Sequence, residues 1–170
     1  MHAARVSCTA GFQYSLTIGC DFDGTLAVWP RGVRVDYDNP QWALANSAAV
    51  LGTVKWLRAA LSCGHTVVII TGRGAEHNSS LQYWLRHFIG HRLPVVTRPG
   101  HVGLDCESLA AWKAAAMVDA GVSVYVGDNP RIDKAAAQMA HVHFLDAMLF
   151  RAGNLPPLPV NLGAVNGSSE

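Results

Sequence analysis

The residues best suited to chemistry lie in the segment Asp21-Phe22-Asp23-Gly24, directly after an apolar stretch. In a β-strand, residues two apart point to the same face, so Asp21 and Asp23 can converge where such a strand ends. Two carboxylates held together repel each other unless a proton or a cation offsets their charge. A divalent metal that prefers oxygen ligands would do so, and one carboxylate could then attack phosphorus while the other handles a proton. A lone Asp-X-Asp-Gly is also a common turn, so the rest of the sequence has to distinguish the two.

The composition indicates a folded domain. The 170-residue chain is 50% hydrophobic and 15% charged, which is typical of a protein with a sizeable core and not of a disordered one. Its formal net charge is +1, and no basic stripe supports tight non-specific nucleic-acid binding. Four cysteines without a Cys-X-X-Cys pair predict free thiols in a reducing compartment. No segment approaches the about 18 apolar residues of a membrane span, so we expect a soluble cytoplasmic protein.

Strand patterns alternate with helix patterns along the chain. The predicted strands are short apolar runs at residues 15–20, 66–70, 94–97, 122–126 and 141–145. The predicted helices cover about 40–64, 79–89, 107–120 and 130–139, and Asn39 and Pro40 are expected to cap and begin the first of them. This alternation predicts an α/β fold, a Rossmann-like three-layer sandwich around a central parallel sheet of about five strands.

Candidate residues follow several of these strands at the same edge of the predicted sheet. Asp21 and Asp23 end the first strand, Thr71 ends the second and Asp128 ends the fourth. Ligands of parallel sheets bind beyond the carboxyl ends of the strands. Because unrelated loops would not be expected to place every acid at one edge, we infer a functional site there. Thr71 taken alone could simply end its strand.

These segments resemble the motifs of the haloacid dehalogenase (HAD) superfamily of phosphohydrolases. The first motif is Asp21 to Leu26 (DFDGTL), the second is Ile70 to Arg73 (ITGR), and the fourth is Val126 to Asp133 (VGDNPRID). The third motif of the superfamily is a single lysine. The resemblance extends over about residues 15–145, most of the chain.

The resemblance implies one HAD-like hydrolase domain over residues 1–152, followed by an extended tail over residues 153–170. The tail is rich in Pro, Gly and Asn, which is typical of an extended segment with a loose end.

The resemblance also implies a role for each matching residue. Asp21 would be the nucleophile that forms an aspartyl-phosphate, and Asp23 would be the general acid and base. Mg²⁺ would be held by Asp21, Asp128 and the backbone carbonyl of Asp23. Asp133 would bind a metal-bound water or hold the lysine of the third motif, and Thr71 would donate its hydroxyl to a phosphoryl oxygen.

The third motif is assigned to Lys113, because no other lysine lies between Lys55 and Asp128. Lys113 would balance the charge at the substrate phosphate, although many relatives place this lysine further upstream, and a solvent-facing helix lysine is the alternative. Asn129 stands where nucleotide and polynucleotide phosphatases often have a second aspartate. It could orient a metal-bound water, but we expect it mainly to cap the following helix.

The sequence leaves little room for a cap, the inserted domain that usually determines specificity in this superfamily. About a dozen residues separate Leu26 from the predicted helix start at Pro40, and fewer lie between Thr97 and Glu107. We therefore expect a minimal-cap, open site with at most a flap at residues 28–34. Such a site would accept a large substrate, or it would need a partner subunit as its lid.

Within the superfamily, the chain is most similar to the phosphatase domain of polynucleotide kinases. The similarity lies in the segment Thr71-Gly72-Arg73, in the loop at residues 98–100 and in the minimal cap. It implies phosphate contacts from Thr71, Gly72 and Arg73, help from Arg31 or Arg34 in the flap, and stacking of Trp29 on a base. Ordinary surface side chains are the alternative interpretation of the flap residues.

The sequence thus predicts a Mg²⁺-dependent phosphatase that hydrolyses phosphate monoesters, with nucleic-acid 3′-phosphate ends or nucleotides as substrates. A small-molecule phosphatase that acts on nucleotides or sugar phosphates is the alternative within the enzyme class. A non-catalytic binding module with the same fold is less favoured, since nothing structural requires three clustered acids.

Overall fold

The computed structural model of the chain describes residues 15–29 and 47–158. Seven strands occur in these residues: β1 (Thr17–Cys20), β2 (Ala27–Val28), β3 (Ala48–Ala49), β4 (Thr66–Gly74), β5 (Val95–Arg98), β6 (Val122–Gly127) and β7 (His143–Asp146). Five of them form a parallel sheet in the order β5-β4-β1-β6-β7. The predicted α/β fold with a central parallel sheet of five strands is therefore confirmed.

Helices cover both faces of the sheet. They are α1 (Leu51–Ser62), α2 (Asn78–Phe88), α3 (Cys106–Asp119), α4 (Ala135–Met139) and α5 (Ala147–Arg151). A 3₁₀ turn at Ala75–His77 precedes α2, and a π-helical turn at Pro130–Lys134 precedes α4. Helices α1, α2 and α5 pack on one face, and α3 and α4 pack on the other.

The two faces differ in the side chains that fill them. The face below α1, α2 and α5, here called the aromatic face, buries Phe22, Trp56, Trp84 and Phe150 among aliphatic residues. The face below α3 and α4, here called the alanine face, buries Ala110, Ala114, Ala116, Ala136 and Ala137 together with Tyr125. The central strands are apolar on both sides, because alternate residues of each strand point into opposite cores.

The prediction for the first helix is wrong at its start. Residues 47–50 are not helical, and α1 begins at Leu51. The cause is local pairing: Ala48 and Ala49 form an antiparallel pair with Val28 and Ala27, and the Val50 amide donates to the Leu26 carbonyl at 2.8 Å. The segment between Leu26 and α1 is therefore longer than the dozen residues expected. Asn39 and Pro40 lie outside the described residues.

The other helix ends lie close to the predicted ones. Gly64 and Gly121 follow α1 and α3 with φ of 83° and 62°, a left-handed conformation that glycine adopts without strain. The last strand begins at His143 and not at His141, because His141 is in a turn with φ of 54°. The short helix α5 was not predicted.

Cys20 and Cys106 are free thiols, but Cys63 is disulfide-bonded, so the expectation of free thiols is wrong for Cys63.

Residues 153–158 form neither helix nor strand, and the Trp56 indole donates to the Pro156 carbonyl at 2.9 Å. Among the described residues, no helix is long and apolar enough to cross a bilayer.

Candidate active site

The carboxyl edge of the sheet brings the predicted acids together. Asp21 directly follows β1, and its amide donates to the Val126 carbonyl of β6 at 2.9 Å. Asp128 directly follows β6, the neighbouring strand. Because the two strands are adjacent and parallel, their ends present both side chains on the same side of the molecule.

Lys113 reaches this edge from α3. Its Nζ donates to Oδ1 of Asp21 and to Oδ1 of Asp133, both at 2.7 Å, and its side chain is only 5% exposed. A buried lysine is stable only when its charge is paired and hydrogen-bonded. The structure therefore places Lys113 among the carboxylates and not on the solvent side of its helix.

The three acids Asp21, Asp128 and Asp133 offer carboxylate oxygens that all lie within 4.8 Å of one another. A set of oxygen donors at this spacing suits a hard divalent cation such as Mg²⁺. The adjacent backbone also fits, since a Cβ on Gly24 would lie 2.0 Å from Oδ2 of Asp128, so only glycine leaves room for this carboxylate. The side chain of Asp23 is not part of this cluster.

The charges in the cluster do not balance, since Lys113 and Arg151 face three carboxyl groups. Burial raises the pKa of Asp21 above its ordinary value, although the ammonium of Lys113 opposes this rise. Burial and the neighbouring Asp133 likewise raise the pKa of Asp128. Burial lowers the pKa of Lys113, but the carboxylates of Asp21 and Asp133 outweigh it and hold that pKa above its usual range. The raised pKa values of the acids mean that the cluster favours the binding of a further positive charge.

Thr71 lies inside β4, the strand next to β1 on the opposite side from β6. The prediction that Thr71 ends its strand is wrong, because β4 continues to Gly74 and pairs with β5 at Thr71 and at Gly74. Its side chain is fully buried, and its Oγ1 accepts a hydrogen bond from the Arg73 amide at 3.3 Å. The hydroxyl proton is thus available for a different acceptor. The carbonyl of Gly72 accepts from Nε of Arg98 at 3.1 Å, which fixes the loop after β5 against this segment.

Arg73 does not face the cluster of three acids. Its Nε donates to Oδ2 of Asp23 at 2.8 Å, and its Nη2 donates to Oδ1 at 2.6 Å. The guanidinium carbon lies 5.4 Å from the centroid of the Phe22 ring and 5.7 Å from that of Trp29. The predicted substrate contact from Arg73 and the predicted base stacking of Trp29 stay predictions, while the structure shows both side chains in contact with each other.

Asn129 caps the turn after β6, as predicted. Its Oδ1 accepts from the amides of Arg131 at 3.0 Å and Ile132 at 3.3 Å. Its own amide donates to Oδ2 of Asp133 at 3.1 Å. The π-helical turn that follows therefore folds Asp133 back towards the strand end, where its Oδ1 meets Lys113.

Two residues at the site were missed by the sequence analysis. Tyr125 donates from its hydroxyl to the Ile70 carbonyl at 3.2 Å, and its ring centroid lies 5.9 Å from Nζ of Lys113. Arg151 at the end of α5 lies 3.6 Å from Oδ2 of Asp128 and donates to the Gly24 carbonyl. The alternation of side chains along a strand could have predicted which face of the sheet Tyr125 occupies. No feature of the sequence indicated a role for Arg151. Arg31 and Arg34 lie outside the described residues.

Comparisons with known proteins give a structural match without a sequence match. No family model and no curated protein matches the sequence. A chain in the structure of the Pnkp1/Rnl/Hen1 RNA repair complex superposes with a TM-score of 0.62 at 14% identity, over 86% of this chain and 46% of that chain. D,D-heptose 1,7-bisphosphate phosphatase from B. bronchiseptica superposes with a TM-score of 0.52 at 14% identity, over 81% of this chain and 97% of that one.

A HAD-superfamily hydrolase from Geobacter sulfurreducens also superposes, with a TM-score of 0.51 at 15% identity, over 78% of this chain and 89% of that chain. The chain therefore shares the α/β fold of these structures. The protein spans about half the length of the chains that it matches in the two Pnkp1 structures, 46% and 50%. Similarity at this level of identity establishes the HAD fold, and the side chains of the site must carry the argument for activity.

Proposed function

We propose that this HAD-fold protein is a Mg²⁺-dependent phosphatase that hydrolyses phosphate monoesters through an aspartyl-phosphate on Asp21. The observation that carries the proposal is the contact of Lys113 with Asp21 and Asp133, beside Asp128, at the carboxyl edge of the sheet. A purely structural role would not account for three acids and a buried lysine at one strand edge, because their burial costs free energy.

Asp21, Asp128 and Asp133, with the backbone carbonyl of Asp23, would hold Mg²⁺. When bound, the ion supplies the positive charge that offsets repulsion between these carboxylates and an anionic phosphate. At about 4 Å, that repulsion is on the order of 4 kcal/mol per charge pair at an effective dielectric constant of 20. Lys113, which contacts Asp21 and Asp133, adds a second positive charge beside these carboxylates.

In the first step, a carboxylate oxygen of Asp21 attacks the phosphorus atom and forms an acyl-phosphate bond. The bond from phosphorus to the ester oxygen breaks, and Asp23 transfers a proton to the departing oxygen. The hydroxyl of Thr71 is available to donate to a phosphoryl oxygen, since its own oxygen accepts from the backbone. The Gly72 amide would add a second donor at that end.

In the second step, Asp23, now ionised, takes a proton from a water molecule that attacks the same phosphorus atom. The bond between phosphorus and Asp21 breaks, inorganic phosphate forms, and Asp23 is again protonated for the next cycle. The Asp23 side chain is 40% exposed and is therefore accessible to an ester oxygen and to water.

For the substrate, we propose a nucleic-acid 3′-phosphate end or a nucleotide. The support is the similarity to a chain of the Pnkp1/Rnl/Hen1 RNA repair complex, which superposes with a TM-score of 0.62, against 0.52 for the heptose bisphosphate phosphatase. The alternative is a small-molecule phosphatase, which the similarity to a heptose bisphosphate phosphatase favours.

The experiment that tests the activity is phosphate release from p-nitrophenyl phosphate with Mg²⁺ and with excess EDTA. We expect release that requires the metal, and no release in either condition would instead favour the non-catalytic module. A 3′-phosphorylated oligonucleotide, the matching mononucleotide and a sugar phosphate are then compared at equal concentration. A higher kcat/KM for the oligonucleotide or the mononucleotide than for the sugar phosphate supports the proposed substrates, and the ratio of the first two values shows which of them is preferred. A higher value for the sugar phosphate contradicts the proposal.

A further inference from the structure

The strongest unassigned feature near the site is the pair formed by Arg73 and Asp23. Two guanidinium nitrogens of Arg73 meet the two carboxylate oxygens of Asp23 at 2.6 and 2.8 Å, which is the parallel fork geometry that arginine forms with carboxylates. The two residues are far apart in sequence and come from the ends of adjacent strands. The contact therefore depends on how the two strands are arranged at this edge of the sheet, and it is not a contact within one turn.

The exposure of the two partners differs in an informative way. The Arg73 side chain is 8% exposed, whereas the Asp23 side chain is 40% exposed. A substrate that approaches the carboxyl edge of the sheet would meet the carboxylate first, because the guanidinium is the more buried partner. Arg73 is thus placed to hold Asp23, and Asp23 is placed to face the substrate.

The guanidinium is itself held by aromatic side chains. Its carbon lies 5.4 Å from the Phe22 ring and 5.7 Å from the Trp29 ring, within the range of cation–π contacts. Phe22 is completely buried and packs edge-to-face on Trp84 with centroids 5.0 Å apart. This contact joins Arg73 to the rigid aromatic face, so Asp23 is supported by a chain of packed side chains.

We propose that Arg73 is a positioning residue that fixes the Asp23 carboxyl group where it exchanges protons with the ester oxygen and with water. This inference rests on the proposed phosphatase function and deepens it. In this proposal, Arg73 affects proton transfer through Asp23 and does not contact the phosphate. A fixed carboxyl group matters most when the departing oxygen is a poor leaving group, because such an oxygen depends on receiving a proton as its bond breaks.

The test compares two esters in wild type and in Arg73→Gln: p-nitrophenyl phosphate, whose leaving group departs without a proton, and an alkyl phosphate, whose leaving group needs one. We expect kcat for the alkyl ester to fall on the order of a hundredfold. The loss in the first step should be much smaller for the aryl ester, and single-turnover measurements isolate that step. Equal losses for the two esters would overturn the proposal and indicate a phosphate contact.

Two further variants sharpen the test. Arg73→Lys keeps the charge but loses the fork, so it should remain impaired on the alkyl ester, and full recovery would contradict the proposal. Arg98→Gln removes an arginine at the same sheet edge whose guanidinium donates to the carbonyls of Gly72 and Val102. It should leave the ratio of alkyl to aryl rates unchanged.

The pair can also be tested without turnover, which separates failure of this inference from failure of the proposed function. Arg73→Gln should lower the unfolding temperature of wild type more than it lowers that of Asp23→Ala, because only wild type retains the partner. Equal decreases in unfolding temperature in the two backgrounds would contradict a stabilising contact between Arg73 and Asp23, whatever the enzymatic activity. A wild type that hydrolyses neither ester would refute the proposed phosphatase function, and with it the role of Arg73 in positioning Asp23 for catalysis.

Discussion

On the aromatic face of the sheet, α1, α2 and α5 pack with large side chains, whereas on the alanine face α3 and α4 pack mostly with alanine. Trp56 and Phe150, for example, meet edge-to-face with ring centroids 5.4 Å apart. Ala110 and Ala114 occupy the corresponding layer of α3, on either side of Lys113. Large buried side chains contribute more hydrophobic free energy, and small ones let a helix approach the sheet closely.

The difference in side-chain size between the two faces affects how closely Lys113 can approach the acids. Lys113 is carried by α3, and its Nζ must come within 2.7 Å of two carboxylates at the strand ends. Alanine neighbours allow this approach, and Gly19 in β1 leaves the space that the Tyr125 ring fills, since a Cβ there would lie 2.7 Å from that ring. We infer that the aromatic face contributes most of the stability and that the alanine face sets the position of Lys113 among the three acids.

The largest expected effect is on the nucleophile. Asp21→Asn keeps the shape of the side chain but removes the negative charge that attacks phosphorus, so kcat for p-nitrophenyl phosphate should fall by at least about ten-thousandfold. Circular dichroism should show an unchanged fold. Appreciable turnover by this variant would refute the assignment of Asp21.

Next in size is the change of Lys113 on the alanine face. Lys113→Met leaves Asp21 and Asp133 without their shared partner, so we expect a loss of about 3 kcal/mol in the free energy of unfolding and of most of the activity. Urea unfolding and initial rates measure the two losses. Lys55→Met, at an exposed position of α1, is the matched control and should change neither.

A substitution on the aromatic face should separate stability from activity. Leu57 is fully buried in α1, and Leu57→Ala should cost about 3 kcal/mol of stability through lost burial and the cavity that remains. Under conditions where the variant is folded, kcat should stay within about twofold of wild type, because no site residue lies on α1. A large loss of kcat in the folded variant would contradict the inference that this face contributes mainly to stability.

The smallest expected effect comes from enlarging one alanine beside Lys113. Ala110→Val should cost about 1 kcal/mol by overpacking, and it should lower kcat about tenfold, because small displacements of catalytic groups are costly. Ala60→Val, at a fully buried position of α1, is the matched control on the aromatic face. Equal kinetic losses in the two variants would show that the alanine face has no special role.

The sequence alone predicted those features of the site that depend on the order of strands and helices along the chain. The carboxyl-edge rule predicted that Asp21 and Asp128 lie close together, and they do, since parallel neighbours end at the same edge. Lys113 was reached by elimination, and its contacts with Asp21 and Asp133 agree with that choice. Asn129 was recognised because a cap is a local interaction.

The features that sequence did not predict depend on contacts between distant segments. The pairing of Arg73 with Asp23 and the approach of Arg151 to Asp128 depend on side-chain directions after the strands end, which no periodicity encodes. The helix start at Leu51 was missed because the pairing of β2 with β3 overrides the helical pattern around it. Tertiary contacts of this kind routinely outweigh local propensity.

The most direct test of the central claim is to trap the covalent intermediate. Asp23→Asn should still transfer the phosphoryl group of p-nitrophenyl phosphate to Asp21, but the second step should slow for lack of a base, so the modified enzyme accumulates. After acid quench in the presence of Mg²⁺, peptide mass spectrometry should find one phosphoryl group, on Asp21. Phosphate release by wild type with no modification at Asp21 in this variant, or with modification at another residue, would contradict the account.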